Sequence, residues 1–385
     1  MPVVTGDRLI ERAEALLPAI AARALEAERQ RRIPQETIED IRAAGLNRVM
    51  RACRWGGFGL DFDVFFEISW RLASACGSTG WVYSQSAVQN WQIGLASPAA
   101  QADYYSCPDT FSCSAFNPRG AKVEQADGGW MVSGRWQYSS GCYHADWALL
   151  GAVLPGVDGP ALLLIPRKDF QIDDTWHVSG LRATGSNDVF IDRPVFVPGH
   201  RYISPTTRLQ PGHANYRRGA YGMPPPSLAP WAIVAPSIGM AQGALNAYEA
   251  TTRTRRAAFG GQAMSDMAGP QFRISEASAK LDTARALARA DIGEAITRGT
   301  VGDEPSAEDR VRFRRNHAYI VDLCYDATML IARGAGAGSL FETNPIQRFM
   351  RDAHAGAMQI AVNWDEQAES YGRVRMGLSP SGLMW

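Results

Sequence analysis

The chain lacks an excess of charge of either sign: 39 basic and 39 acidic residues leave its 385 residues formally neutral. Without a basic surplus, nothing drives nucleic-acid binding through bulk counterion release. Cysteine is scarce, with six at positions 53, 76, 107, 113, 142 and 324, no Cys-x-x-Cys pair and no tight Cys/His spacing. That excludes a disulfide scaffold and a zinc-ligand set, so no metal site is expected. No apolar run approaches the roughly 20 residues needed to cross a bilayer. Residues 1–30 are charged throughout and lack a secretory apolar core. The expectation is a soluble, cytoplasmic protein without a membrane or nucleic-acid partner. Lysine is nearly missing, with Lys122, Lys168 and Lys280 alone among the 39 cations. We read this as genomic composition more than as anion recognition by guanidinium forks. What is present is apolar: 46% hydrophobic against 20% charged residues excludes wholesale disorder.

Three zones follow one another. Residues 1–105 read as an N-terminal helical domain: Leu9, Ile10, Ala13, Leu16, Leu17, Ile20 and Leu25 recur at helical spacing, and Pro34 opens a second amphipathic stretch. Asp63 to Ala96 reads as a buried helix pair broken near Gly77-Ser78-Thr79-Gly80. Residues 106–210 change character. Gly128-Gly129 separates AKVEQAD from WMVSGRWQYSS as in a hairpin, and WALLGAVL, ALLLIP, FQIDDTW and NDVFIDRPVFVP follow as short β-rich runs. That spacing suggests an antiparallel barrel or sandwich. Residues 211–385 open with a Pro- and Tyr-rich lid segment. They continue as four long helices, expected over 231–256, 269–299, 306–334 and 345–372, a bundle.

Local motifs fit this order. WMVSGRWQYSSGCYHADWALLGA, LRATGSNDVFIDRPVFVP, RRAAFG and NPIQRFMRDAHAG stand in the sequence in the arrangement of signatures found in the acyl-CoA dehydrogenase superfamily, which the chain resembles over roughly 10–372. The resemblance implies an α+β fold: an N-terminal helical domain, a central antiparallel β-barrel and a C-terminal four-helix bundle. Two chemistries compete within it. The dehydrogenases use a glutamate that in many members lies nine residues after the Arg of Arg-Asp-Ala. Counting from Arg351 gives Ile360, which has no proton acceptor. An FAD-dependent dehydrogenase would need a displaced base. FSCSAFNP (Phe111 to Pro118), the Ser139 to Trp147 segment and DTWHVSGLRATGS look more like the oxygenase components of two-component flavin-dependent aromatic monooxygenases. These take reduced flavin (FMNH2 or FADH2) from a separate reductase and add O2 at flavin C4a. The hydroperoxide so formed hydroxylates a small aromatic or heteroaromatic molecule, indole-like rings included.

Site residues follow from the same resemblance. Ser140 aligns with the Ser/Thr that bonds flavin N5 through its hydroxyl or backbone, and Tyr138 would lie against the isoalloxazine ring. Each also reads as an ordinary strand end or core aromatic. Ser112 and Ser114, on one face of a strand, would reach the flavin or the substrate. Arg256 and Phe259, three apart on one helical face, would meet a neighbouring subunit's flavin, implying a homo-oligomer and by resemblance a tetramer. The relatives' two catalytic histidines fall on Gln89 and Gln359, amides that orient but cannot remove a proton near neutral pH. Trp81, Tyr83 and Trp91 could line the substrate cavity, though helical spacing fits core packing equally well. His213 could close over the substrate from the lid.

Overall fold

The computed structural model describes residues 4–209, 219–258 and 260–382. Five helices come first: α1 (Gly6–Gln30), α2 (Gln35–Ala43), α3 (Phe62–Ala75), α4 (Gly77–Ile93) and α5 (Pro98–Tyr105). The Thr5 side chain caps α1, and Leu9, Ala13, Ile20, Ala24 and Ala27 form its buried stripe. The break between α3 and α4 falls at Cys76, whose backbone is extended (φ −154, ψ 115), and residues 77–80 are already helical. The glycines read as breakers serve close approach instead. A Cβ on Gly80 would stand 2.4 Å from the Ala73 Cβ, so this residue lets α4 fold back onto α3.

Eight strands follow: β1 (Ser112–Ala115), β2 (Ala121–Ala126), β3 (Gly129–Ser139), β4 (Trp147–Val153), β5 (Pro160–Pro166), β6 (Gln171–Asp173), β7 (Asn187–Pro198) and β8 (Tyr202–Ile203). The expected hairpin is present, with Ala126 opposite Gly129. The expected closed barrel is not what the described residues show. The strands form two four-stranded sheets, ordered β1-β4-β5-β8 and β2-β3-β7-β6. Nor is the pairing wholly antiparallel, because β1 runs parallel to β4. One core lies between the sheets, with Val132, Trp136, Leu150, Leu163, Ile165 and Val189. The other face of β4 and β5 packs Leu149, Leu162 and Leu164 against Ile93, Tyr104 and Tyr105 of α4 and α5. Burial on both faces explains why ALLLIP is continuously apolar where a half-exposed strand would alternate.

The chain ends in α6 (Pro225–Leu228), α7 (Trp231–Thr254), α8 (Ala268–Val301), α9 (Ala307–Ala335), α10 (Pro345–Ala357) and α11 (Trp364–Arg375). The last expected helix, 345–372, is two: Gln359 caps a short 3-10 turn and Asn363 caps α11, each taking backbone N–H groups that a continuous helix would bond internally. Contrary to the expectation that no apolar run reaches membrane length, the span Pro225–Thr254 is long and apolar enough to cross a membrane by length and composition, but 89% of its apolar window is buried inside the protein. It is the central core helix. One hydrophobic core joins α1, α3 and α4 to α7, α8, α9 and α10, with Phe66 edge-on to Trp231 at 5.9 Å.

Candidate active site

All of α4 except Gln85 is buried, although half of it is polar. Its residues 81, 85 and 89 recur every fourth position and so share one face. The Trp81 indole N–H donates to Ser140 Oγ (3.2 Å), Gln85 Nε2 to the Ala232 carbonyl of α7 (3.5 Å), and Gln89 Nε2 to Ser114 Oγ (2.7 Å). This face therefore runs along a seam with sheet ends on one side and α7 on the other. Gln89 is buried, and among the described residues its Oε1 has no hydrogen-bond partner.

The sheet side of the seam is shaped by a bulge. Between Trp136 opposite Val189 and Ser139 opposite Asn187, β3 carries one residue more than β7. Tyr138 adopts φ 68 there, rare for a bulky side chain, and stands 65% exposed, edge-on to Trp176 at 6.0 Å. The Ser140 backbone N–H donates to the Tyr138 carbonyl (3.1 Å), and the Gly141 N–H to the Thr184 carbonyl (2.8 Å). Ser140 Oγ lies 2.7 Å from Ser186 Oγ, which lies 2.7 Å from Thr184 Oγ1, whose hydroxyl donates to the Leu181 carbonyl (2.7 Å).

Helix α10 holds this turn in place. The Leu181 N–H donates to Asp352 Oδ1 (2.6 Å), and Arg351 donates to the Ser179 carbonyl while pairing with Glu28. A Cβ on Gly180 would sit 1.9 Å from the Arg351 carbonyl oxygen, so the loop lies directly on the helix. Burial pushes the Asp352 carboxyl up to about 6, opposed by the Leu181 N–H and nearby Arg348. The Arg-Asp of NPIQRFMRDAHAG thus serves the sheet turn.

The structure brings Trp81, Gln89, Ser114 and Ser140 into direct contacts along the seam. It separates the others. Ser112 is buried against Tyr104 (Oγ to OH 2.9 Å), and its N–H meets Ser86 Oγ. Tyr83 bonds the Leu46 carbonyl and stacks on Phe65, and Trp91 packs edge-on against Phe62, so both pack in the helical core. Helical phase is the reason: at about 100° per residue, Tyr83 faces almost opposite Trp81. Gln359 is not on a helix either, because its Oε1 accepts the Ala361 N–H (2.5 Å). Arg256 lies beyond the end of α7, bridged to Ala263 and bonded to the Gly261 carbonyl (2.8 Å), so it is not on the helix expected for it. Phe259 and His213 lie outside the described residues.

The residue reading missed Gln85, Trp176, Thr184 and Ser186. The period-four Trp-Gln-Gln pattern signals the first; the hydroxyls were visible in the Thr-Gly-Ser motif but carried no role. No described histidine enters the seam. His144 bonds Gln35, His177 lies beside Arg31, His200 pairs with Asp103, His317 is buried against Trp231, and His354 packs on Tyr325 at the surface. No cluster of three metal-ligating side chains occurs among the described residues. Among the described residues the seam thus offers a hydroxyl oxygen, an amide oxygen without a partner and the exposed Tyr138 ring. That donor set suits a flat, hydrogen-bonding heteroaromatic ring such as flavin.

Comparisons with known proteins agree. Residues 231–364 match the family described as acyl-CoA dehydrogenase, C-terminal domain. The chain is 37% identical to the oxygenase subunit HsaA of a flavin-dependent monooxygenase from Rhodococcus jostii (strain RHA1), covering 97% of this chain and 100% of that one. It is 34% identical to the oxygenase component of an FADH2-dependent resorcinol hydroxylase from Rhizobium sp. (strain MTP-10005), over 97% of this chain and 95% of the relative. The crystal structure of 3-HSA hydroxylase from Rhodococcus sp. RHA1 superposes with a TM-score of 0.91 at 36% identity, covering 98% and 99% of the two chains. With its fold, its seam and these relatives in agreement, the chain belongs to the oxygenase components of flavin-dependent monooxygenases.

Proposed function

We propose that reduced flavin sits in the seam with N5 toward Ser140 Oγ and the ring beside Tyr138, and that Gln89 Oε1 orients an aromatic substrate there. When bound, reduced flavin activates O2 and supplies one oxygen atom to the substrate ring, the other leaving as water. The chain's own residues bind and orient. Ser140 accepts a hydrogen, Trp81 fixes Ser140, and Gln89, steadied by its bond to Ser114, accepts an N–H or O–H of the substrate. The carrying observation is Gln89 Oε1, buried and without a partner among the described residues, two helical turns along the same face from the Trp81–Ser140 contact. An unmade buried bond costs about 1–3 kcal/mol, which a ligand donor would relieve.

Because no described histidine bonds Trp81, Gln85, Gln89 or Ser140, the substrate that suits the seam is a ring that is electron-rich without losing a proton, an indole-like heteroaromatic ahead of a simple phenol. A reductase-coupled assay over indoles, sulfur heterocycles and phenols tests this. The expected result is coupled hydroxylation of the neutral heteroaromatics and slow turnover of simple phenols. Efficient coupled hydroxylation of a simple phenol overturns the substrate assignment.

A separate reductase supplies the reduced flavin to such an oxygenase component. The oligomer we infer is a homotetramer assembled through the C-terminal segment, which exposes Phe272 on α8 and Leu340, Phe341, Ile360 and Met376 in the turns after α9, α10 and α11, at 68–78%. All six cysteines are free, in keeping with a reducing cytoplasm.

A further inference from the structure

Ser140 Oγ, Ser186 Oγ, Thr184 Oγ1 and the Leu181 carbonyl oxygen stand in series, each 2.7 Å from the next. The Trp81 indole N–H lies 3.2 Å from the Ser140 end. Each hydroxyl has one hydrogen, and the two ends of the series permit a single polarity. A carbonyl only accepts, so the Thr184 hydrogen points at Leu181; two oxygens this close with no hydrogen between them would repel. Thr184 must then accept from Ser186. Ser186, its one hydrogen engaged, must accept from Ser140. At the far end the indole N–H only donates, which agrees with an accepting Ser140. The Ser140 amide hydrogen is engaged as well, by the Tyr138 carbonyl at 3.1 Å. Ser140 therefore has no hydrogen left for a ligand. What it presents to the seam is a lone pair.

We propose that this one-way hydroxyl relay makes the seam selective for reduced over oxidised flavin. Position 5 of the flavin ring is an N–H donor when reduced and a bare acceptor nitrogen when oxidised. An acceptor-only Ser140 matches the first and sets lone pair against lone pair with the second. The inference rests on the flavin placement proposed above and adds Thr184 and Ser186 as positioning residues that act through Ser140. It gives the protein a means of taking flavin from a reductase and releasing it once reoxidised.

Binding of the two redox states tests the relay without any turnover. In Ser186→Ala the Ser140 hydrogen loses its acceptor and can turn toward the oxidised ring. In Thr184→Val, Ser186 loses its own acceptor, reverses, and donates to Ser140, with the same result one link further away. Each variant should narrow the reduced-over-oxidised affinity ratio by about 3–10-fold, the worth of one hydrogen bond. The readout is anaerobic titration with photoreduced FMN and FAD beside titration with the oxidised forms. Thr184→Ser keeps the hydroxyl and should restore the wild-type ratio. The gain for oxidised FMN in Ser186→Ala should vanish with oxidised 5-deaza-FMN, whose position 5 is a C–H. A general loosening would change both redox states alike, and an unchanged ratio in Ser186→Ala and Thr184→Val overturns the relay. If Ser140→Ala alone shifts the ratio, the relay falls while the flavin placement stands. If Ser140→Ala leaves both affinities unchanged, the placement is wrong and the relay falls with it.

Discussion

Gln89 occupies the position where an imidazole would change the chemistry of the seam. It reaches Ser114 through Nε2 and leaves Oε1 buried without a partner among the described residues. A Gln89→His variant places a titratable ring there, and general acid–base assistance typically contributes about 10²–10⁴-fold in rate. We expect the kcat ratio of phenol to indole to rise at least 10-fold, with a new ionisation in its pH profile at the imidazole range. An unchanged ratio in a folded variant would place substrate away from this residue. At this scale the motif around Ser140 made a strand end legible, and the structure has Ser140 directly after β3; residue type alone says less about which way a side chain faces. Tyr83 and Trp91 are aromatic residues near a site in sequence, but the phase of α4 turns both into the core.

Among the elements, α10 and the turn from Trp176 to Ser186 behave as one unit, joined through Asp352, Arg351 and Gly180. Burial raises Asp352 from 3.8 to about 6, so between those values the folded protein binds a proton more readily than the unfolded chain. Its contribution to stability is present below pH 4 and lost as pH rises through 6. His144 and His317 oppose it: burial lowers them to about 4 and about 3, so their contributions are present above pH 6.5 and lost on acidification. Comparing wild type with Asp352→Asn cancels the histidines. Urea denaturation at several pH values should show the wild-type advantage shrinking by about 1 kcal/mol per pH unit from pH 4 to 6, then levelling. A difference that stays constant would mean an ordinary carboxyl. Periodicity predicted the long helices well because their apolar stripes repeat many times. It ran straight through Met358–Asn363 because a three-residue turn leaves no period to read, and this placed Gln359 on a helix it does not join. Barrel and sandwich stayed open in the sequence for a related reason: strand runs show which segments are β, not which edges meet, and the parallel β1–β4 pair has no local sequence signal.

Most of the exposed large apolar side chains among the described residues lie in the C-terminal segment, many of them in the turns that follow α9, α10 and α11. Light scattering at micromolar concentration should therefore give a tetramer, and a stable monomer would remove both the assembly and the role of Arg256 toward a neighbour's flavin. Inside the subunit, the core that α3 contributes to is completed by α7, with the whole sheet region lying between them in sequence. On a ribosome adding about 5–20 residues per second, α3 emerges roughly 10–30 s before its partner. During that interval Phe66 lacks the Trp231 ring that meets it in the finished fold. The nascent chain carries that uncovered aromatic side chain through the synthesis of an entire sheet region, so it is most exposed to aggregation while it grows.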